Sequence, residues 1–162
     1  MTTAIDIATD QPTITMSRIY EAPRERVWEA ITKPEHVRLW WGGAGVTNPV
    51  CEMDLRPGGR WTHVMRLPDG HEISMKFVFV EITPPERLVW EHAEPGKHGE
   101  GPPSCRFTVT LEALGGRTRW HLVAQFGSRS ERDASVAMGF SGRITASNDR
   151  FDAYLKTMEG QL

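Results

Sequence analysis

Cysteine is scarce in this sequence: only Cys51 and Cys105 occur among 162 residues. They lie far apart, and neither belongs to a C-x-x-C pair. Disulfide-stapled domains and zinc knuckles need several closely spaced cysteines, so neither kind of structure is expected. A free cysteine usually packs as a small apolar side chain, and the sequence therefore predicts two buried thiols.

Long apolar runs are absent too, whereas a membrane-spanning helix needs about 20 such residues. Positive charge is not in surplus, since 19 Lys and Arg stand against 21 Asp and Glu, and phosphate recognition needs a basic excess. The first residues, MTTAIDIATDQPT, lack the basic start of a secretory signal and the arginines of a transit peptide. These absences argue against a membrane or nucleic-acid partner and predict a cytoplasmic protein.

What remains is the composition of an ordinary globular domain, with 39% hydrophobic and 25% charged residues. A chain of this length can bury a core of its own and is close to the size of one average domain. We therefore expect a flexible N-terminus over residues 1–12 and a single domain over residues 13–162.

The predicted elements begin with a strand and two short helices. Residues 13–20 alternate with the period of a strand and include many β-forming types. Pro23 opens one helix and Pro34 a second, because the missing N–H of proline costs nothing in the first helical turn. The second helix ends at the glycine-rich segment 42–45.

Residues 50–126 have the pattern of strands divided by turns. Residues 60–67 alternate between two faces, and proline and glycine form turns at 56–59 and 68–70. Short connections favour antiparallel pairing, and about seven strands are predicted in all. The glycine- and proline-rich stretch 93–104 predicts an exposed loop.

The segment 130–158 is predicted to form one long amphipathic helix. Ser128 and Glu131 have the spacing of a capping box, and Arg143 and Arg150 are expected on the solvated side of the helix or at its rim. Apolar side chains recur at spacings of three, four or their multiples. These are Val136, Phe140, Ile144, Phe151, Leu155 and Met158.

Several short sequence motifs, spread over residues 13–158, resemble those of a known family. They are YEAPRERVW from Tyr20, PEH from Pro34 followed by WWG from Trp40, MDLRPGGRW from Met53, PPERL from Pro84, and MGF from Met138. Together they resemble the SRPBCC or START-like superfamily, and within it the AHSA1-like subfamily, named after the C-terminal domain of the Hsp90 ATPase activator. The resemblance implies an α+β helix-grip fold of the START and Bet v 1 type, with a curved antiparallel sheet around a long C-terminal helix. It also implies a cavity between sheet and helix, which binds an apolar small molecule in many relatives.

The last helix departs from the pattern of these relatives. They usually carry a Gly-Trp pair and then a leucine on the cavity side, where this chain has Arg143, Ile144 and Asn148. A larger and more polar cavity is therefore expected. The Asn148 amide needs a partner, because an unpaired buried amide costs roughly 1–3 kcal/mol. A strand backbone or His63 would be a structural partner, and a ligand carbonyl or hydroxyl a functional one.

The residues expected to line the cavity lie on the inward faces of the strands, on the last helix and, at one mouth, on the second short helix. They are Trp40, Trp41, Trp61, His63, Met65, Met75, Phe77, Trp90, His92, Phe107, Trp120, Leu122, Phe140, Ile144 and Asn148. Apolar side chains with a few polar groups are typical of small-ligand pockets. The alternative interpretation is that they simply fill the core, since aromatic residues dominate core packing.

Two of these residues, His63 and His92, are also candidates for catalysis. Histidine is the usual acid or base near neutral pH, and Asp54 or Glu72 could complete a general-base pair. The spacings of metal-binding motifs are absent, so neither a metal nor another cofactor is predicted. The histidines expected at the surface or in loops are His36, His98 and His121.

Three functions are compatible with the sequence. The first is a binding protein for an apolar or aromatic small molecule, oriented by Asn148 or His63. The second is an enzyme of the cyclase, hydrolase or lyase type that uses the same cavity, with His63 or His92 as acid or base. The third is a partner of an Hsp90-type chaperone, ranked last because the namesake activator has a further N-terminal domain. A homodimer is also compatible with the sequence, although no coiled-coil seam supports it.

Overall fold

The computed structural model describes residues 3–93 and 104–159. The strands are β1 (Ala4–Ile7), β2 (Thr13–Tyr20), β3 (Thr47–Met53), β4 (Arg60–Arg66), β5 (Glu72–Thr83), β6 (Arg87–His92), β7 (Cys105–Leu114) and β8 (Arg117–Phe126). The helices are α1 (Arg24–Thr32), α2 (Pro34–Trp40), α3 (Arg129–Ala137) and α4 (Phe140–Glu159). In the described ranges, no helix is both long and apolar enough to cross a membrane.

The strands form one antiparallel sheet in the order β1-β2-β8-β7-β6-β5-β4-β3. The sheet is curved, and α4 follows it at the C-terminal end of the chain. The predicted α+β class and the two short helices after the first long strand are therefore confirmed.

The described part of the sheet has eight strands, rather than the predicted seven. The additional strand, β1, lies in the segment expected to be a flexible N-terminus, and it pairs with β2 so that Ala4 is opposite Ser17. The buried Arg132 of α3 donates from Nη1 to the backbone oxygens of Ala8 and Gln11 at 2.6 and 2.9 Å. A four-residue segment is too short for its alternation to predict a strand, and Ile5 and Ile7 are 45% and 41% exposed.

The alternation predicted for the first long strand and for β4 is confirmed. On β4, Trp61 and His63 are 2% and 0% exposed, whereas Arg60 and Arg66 at its ends are exposed. The core therefore lies between the inward face of the sheet and the helices.

Arg18 is a charged residue on the inward face of β2 and is only 5% exposed. Its guanidinium forms ion pairs with Asp149 at 2.5 Å and Asp152 at 3.6 Å, both on α4. It also lies 5.4 Å from the centre of the Tyr20 ring. These contacts join β2 to α4 across the core.

The predicted turn at 56–59 connects β3 to β4 and holds the start of β4 against β5. The Gly59 N–H donates to the Arg56 oxygen at 2.8 Å, and the Gly59 oxygen accepts from the Phe79 N–H at 2.9 Å. A Cβ at Gly59 would overlap the backbone oxygen of Asp54 and lie 2.9 Å from that of Arg56. This position therefore has room for glycine alone.

The prediction of one long C-terminal helix is wrong, because the structure has two. Ser128 caps α3 as predicted, and its Oγ accepts from the Glu131 N–H at 3.1 Å. The helix ends at Ala137, and Gly139 then has a φ of +88°, a left-handed conformation that glycine adopts without a Cβ penalty. A new helix begins at Phe140.

Arg150 is half-buried, which agrees with a position at the rim of the last helix, and its side chain bonds to the backbone of another segment. Its Nη1 donates to the backbone oxygens of Trp41, Gly43 and Val46 at 3.3, 3.1 and 2.7 Å. These oxygens belong to the segment between α2 and β3. Arg143, in contrast, is exposed, as expected.

We expect Arg150→Met to lower the free energy of unfolding by about 1–3 kcal/mol, because three carbonyl oxygens would lose a charged donor. Arg143→Met removes the same group from the exposed part of the same helix, and it should change stability by about 0.5 kcal/mol or less. Urea denaturation of both variants beside the wild type measures the difference. Equal losses in the two variants would contradict the anchoring role of Arg150.

Both cysteines are buried free thiols, as predicted. Burial raises the pKa of Cys51 to about 11 and that of Cys105 to about 12. Both side chains are therefore protonated at neutral pH and unreactive as nucleophiles.

Candidate functional site

Five ring-bearing side chains from β4, β5, β6 and β7 form a continuous surface on the inward face of the sheet. We call this surface the aromatic wall; it consists of Trp61, Phe77, Trp90, His92 and Phe107. The centres of neighbouring rings lie 4.8 Å apart for Trp61 and Phe77, 5.0 Å for Phe77 and His92, and 5.3 Å for Trp90 and Phe107. The sequence correctly predicted that these residues share one face.

The first turn of α4 covers one end of the aromatic wall. The ring of Phe140 lies 6.4 Å from that of Phe107 and 5.5 Å from that of Phe126. Phe140 and Ile144 are both partly buried against the core. Two of the predicted ligand-lining residues of the last helix therefore lie against the interior.

Other predicted lining residues lie away from this end. Trp120 and Leu122, on β8, are 7% and 3% exposed, and Trp120 is opposite Arg18 of β2 in the sheet. Met65 and Met75 are half-buried on β4 and β5. The structure thus spreads the predicted set along the whole inward face.

Trp40 lies in the core, although it was expected at the mouth of a cavity. It is 8% exposed, its Nε1 donates to the Ala30 oxygen at 2.9 Å, and its ring lies 4.4 Å from that of Phe151. Trp41 is half-buried.

Four indoles form a series of ring contacts through the interior. The centres of Trp40 and Trp41 lie 5.8 Å apart, those of Trp41 and Trp61 5.1 Å, and those of Trp61 and Trp90 5.6 Å. The series connects the end of α2 with the aromatic wall.

His63 is part of a buried hydrogen-bond network. Its Nδ1 accepts from Trp61 Nε1 at 3.2 Å, so its Nε2 carries the proton and donates to Asn48 Oδ1 at 2.8 Å. The Asn48 amide nitrogen donates to the backbone oxygens of Arg38 and Trp41 at 2.9 and 3.1 Å. The network fixes the neutral tautomer of the imidazole and joins the end of α2 to β3 and β4.

Burial, with a smaller contribution from the nearby Arg38 charge, lowers the pKa of His63 to about 4. Because both ring nitrogens already have partners in the network, His63 is held as a neutral structural residue. A general base needs a free nitrogen within reach of substrate.

The expected general-base pair is not formed. His63 lies on β4 and His92 on β6, and β5 separates these strands in the sheet. The rings of Trp61 and Phe77 lie between the two imidazoles along the face.

The carboxylates expected beside these histidines are engaged elsewhere. Asp54 accepts from Arg56 Nε at 2.7 Å, and Glu72 accepts from Arg66 Nη2 at 2.7 Å, both at the exposed surface. Within residues 3–93 and 104–159, no group of three or more His, Cys, Asp and Glu side chains could hold a metal ion.

Asn148 is buried, at 5% exposure, on the inward side of α4. Its Nδ2 donates to Thr3 Oγ1 at 3.3 Å. The expected structural partners were a strand backbone or His63, and the structure gives a side chain at the start of β1 instead. The sequence alone does not indicate this partner, because Thr3 lies 145 positions away in the segment predicted to be flexible.

The remaining histidines differ in their surroundings. His36 lies on α2, half-buried rather than free at the surface, with Nδ1 2.5 Å from the Tyr154 hydroxyl. His121 is half-buried on β8. The prediction for His98 concerns a residue outside the described ranges.

Two polar atoms of the aromatic wall are buried and have no hydrogen-bond partner among the described residues. They are Trp90 Nε1 and His92 Nδ1, and they lie on the same face of β6, two positions apart. Trp90 is 9% exposed. Burial lowers the pKa of His92, so its neutral form is favoured.

A depression of about 420 Å³ adjoins His92 at the end of the sheet. It is lined by Glu91, His92, Ala93, Ser104, Cys105, Arg106, Gln125, Phe126 and Gly127. Glu91 and Arg106 of this lining are opposite each other on the outward face of the sheet, where Arg106 Nη2 lies 3.1 Å from Glu91 Oε2.

Asn48 is the residue of this region that the sequence did not reveal. It precedes Pro49 in a segment with no strand-like alternation, although it lies in β3 and is 7% exposed. Its importance comes from the α2 carbonyl oxygens packed beside it, a tertiary contact without a local sequence signal.

Comparison with known proteins identifies the family. The sequence matches the family described as Activator of Hsp90 ATPase homolog 1-like protein over residues 21–156. This match covers most of the chain and every predicted ligand-lining residue. The chain belongs to this AHSA1-like family. The family resemblance inferred from the short sequence motifs is thereby confirmed.

Solved structures share the AHSA1-like fold of this chain. A crystal structure from Nitrosomonas europaea is 25% identical with a TM-score of 0.84, and the match covers 95% of this chain and 99% of that one. One from Mycobacterium smegmatis is 24% identical with a TM-score of 0.83, covering 96% and 98%. The AHSA1-like protein from Aeromonas hydrophila is 21% identical with a TM-score of 0.68, covering 90% and 94%. No curated protein matches the chain.

Proposed function

We propose that this AHSA1-like chain binds an apolar or aromatic small molecule against the aromatic wall, at the end covered by Phe140. The observation that carries the proposal is the pair of unpartnered polar atoms, Trp90 Nε1 and His92 Nδ1, set among aromatic rings. A buried polar atom without a partner costs roughly 1–3 kcal/mol, and a ligand that bonds to it removes that penalty.

The surroundings of these two atoms have the composition of a small-ligand site. Phe77 and Phe107 lie 5.0 and 5.8 Å from the His92 ring, and Phe107 stacks on Trp90. Such sites combine large apolar surfaces with a few placed polar groups. The open depression of about 420 Å³ reaches this end of the wall at His92, while Trp90, Phe77 and Phe107 are not among its lining residues.

A ligand can reach this end of the aromatic wall if the first turn of α4 moves. Phe140, which covers it, follows directly after the break between α3 and α4 at Gly139. A side chain at a helix start, beside a glycine, moves with less disruption than one in the middle of a helix.

The other two functions are not favoured. A catalytic role for His63 conflicts with its two occupied ring nitrogens, and His92 lacks the carboxylates expected to assist it. A chaperone partner is suggested by the family's name and by none of the contacts described above.

Native mass spectrometry of protein purified gently from its own cells tests the proposal. The wild type should carry a small-molecule adduct under soft conditions and lose it on denaturation. His92→Trp, which fills the space beside the wall, should lower the adduct fraction about tenfold or more. Leu39→Trp adds the same ring at a position that is 54% exposed and should retain the adduct.

Two results would contradict the proposal. One is a wild-type protein with no releasable adduct. The other is an adduct retained equally in His92→Trp and Leu39→Trp, which would show that the molecule binds elsewhere.

A further inference from the structure

Helix α3 is held to the rest of the protein mainly by polar contacts. It lies wholly within the described part of the chain, and Arg132 is its one buried residue. Val136, its one large apolar side chain, is half-buried. The helices α1, α2 and α4, in contrast, each bury at least two apolar side chains. Because segments with few buried apolar contacts open at a low cost in free energy, α3 is the helix expected to open most readily.

The connection between β1 and β2 holds α3 in its observed position. Arg132 Nη1 donates to the backbone oxygens of Ala8, Gln11 and Thr13 at 2.6, 2.9 and 3.3 Å. We call these three hydrogen bonds the arginine latch. A single guanidinium therefore joins α3 to the N-terminal segment, and loss of these bonds would remove most of what holds the helix there.

A glycine lies at each end of α3. Gly127 precedes the N-cap residue Ser128, and Gly139, with a φ of +88°, separates α3 from α4. Hinges are usually a few residues at the ends of elements, where they absorb changes in φ and ψ. Glycine adopts more backbone conformations than any other residue. The two glycines are therefore placed where α3 would turn as a unit.

Helix α3 lies between the depression at the end of the sheet and the residue that covers the aromatic wall. Gly127, which lines the depression, donates its N–H to Glu131 Oε2 in the first turn of α3 at 3.1 Å. Cys105 also lines the depression and is only 4% exposed. Burial, with a smaller contribution from the nearby Glu131 charge, raises the pKa of this thiol. At the other end of α3, the chain continues into Phe140, whose ring lies against Phe107 of the wall.

From these contacts we infer that α3 is a lid, which the arginine latch keeps closed and which opens on its glycine ends while the sheet and the rest of α4 stay folded. Opening would move Phe140 and uncover Cys105. The inference rests on the proposed function in one respect, since the open lid would admit a ligand to the aromatic wall. The opening itself needs no ligand and can be measured without one.

The two buried thiols report on this opening in the wild-type protein. Cys105 begins β7 in the middle of the sheet, whereas Cys51 lies on the edge strand β3. N-ethylmaleimide labelling of the native full chain, followed by peptide mass spectrometry, should modify Cys105 about tenfold or more faster than Cys51. The Cys105 rate should also rise only weakly with urea below the unfolding transition, because opening one helix exposes little surface. A Cys105 rate that rises as steeply with urea as that of Cys51 would overturn the inference.

Two matched variants separate opening of the lid from unfolding of the whole chain. Arg132→Met and Arg150→Met each deprive three backbone oxygens of an arginine donor, so both should unfold more easily. Only Arg132→Met should speed the labelling of Cys105, by about fivefold or more. Arg150→Met should leave that rate within about twofold of the wild type, because the contacts of Arg150 do not depend on α3. An equal rise in both variants would show that Cys105 is exposed only by global unfolding, and would overturn the inference.

Native mass spectrometry tests the control of access to the wall. After dilution, the adduct should dissociate about fivefold or more faster from Arg132→Met than from Arg150→Met. Equal dissociation rates would overturn the control of access by α3. A wild-type protein without an adduct would contradict the proposed function alone, since the labelling of Cys105 measures the lid independently.

Discussion

Replacing Gly59 with alanine is expected to lower the free energy of unfolding by about 3 kcal/mol, through the loss of two or three backbone hydrogen bonds. The new methyl group would overlap the Asp54 oxygen, so the backbone of the turn must move. That movement separates Gly59 from Phe79, to which it is bonded at 2.9 Å, and disturbs the Gly58 N–H bond to the Phe79 oxygen at 2.8 Å.

Thermal unfolding is the direct measurement, and a loss of this size should lower Tm by about 6–12 °C in a protein of this length. Gly116→Ala is the matched control, because no atom lies within 4 Å of the Cβ it would add. We expect its Tm to stay within about 2 °C of the wild type. A Gly59→Ala protein that melts with the control would show that the turn adapts without breaking its bonds.

The second large effect is acid destabilisation caused by His63. Its pKa is lowered from 6.5 to about 4 in the folded protein, so the unfolded chain binds the proton more tightly. The contribution of His63 to the free energy of unfolding is therefore fully present above about pH 6.5 and is lost as the pH falls towards 4. The shift corresponds to about 3 kcal/mol over that range.

Urea denaturation between pH 7.5 and pH 4.5 measures this effect. His63→Phe should be less stable at pH 7.5 by about 2–4 kcal/mol, because Trp61 Nε1 and Asn48 Oδ1 lose their partner. Its free energy of unfolding should also fall less than that of the wild type as the pH is lowered. The control is His71→Gln, at an exposed position of the hairpin; its free energy of unfolding should fall with pH as steeply as that of the wild type. If the free energy of unfolding of His63→Phe fell equally steeply, the acid sensitivity would belong to other groups.

Local pattern predicted most of the sheet. The alternation in β4 placed Trp61 and His63 on the buried face, and the strand has that arrangement. Ser128 and Glu131 predicted the start of α3 correctly. These signals succeed because a strand or a helical first turn depends on neighbours within a few positions.

The features that the sequence did not predict depend on contacts between residues far apart in the chain. The apolar spacing continues from Val136 to Phe140 and favours one helix, whereas Gly139, a residue type that often follows a helix end, adopts a left-handed conformation and separates α3 from α4. Arg150 has an ordinary charged side chain, yet it bonds to three oxygens more than 100 positions away in sequence.

The sequence predicted which residues lie at the candidate site, but it did not predict the hydrogen bonds that they form. Trp90, His92 and Phe107 were expected on one face, and they lie there. The sequence did not show that His63 would be satisfied by Asn48 while His92 would keep an unpartnered nitrogen. That difference depends on which carbonyl oxygens and amides pack beside each ring, and a single sequence does not encode it locally.

The series of indoles from Trp40 to Trp90 has a spectroscopic consequence. Chromophores whose centres lie 5.1 to 5.8 Å apart couple their electronic transitions, so the four rings should produce exciton bands in circular dichroism. These bands depend on the relative orientation of the rings and vanish when packing loosens, even where helices and strands persist. The protein therefore contains an intrinsic optical reporter that runs from the helical end of its interior to the ring beside the proposed ligand.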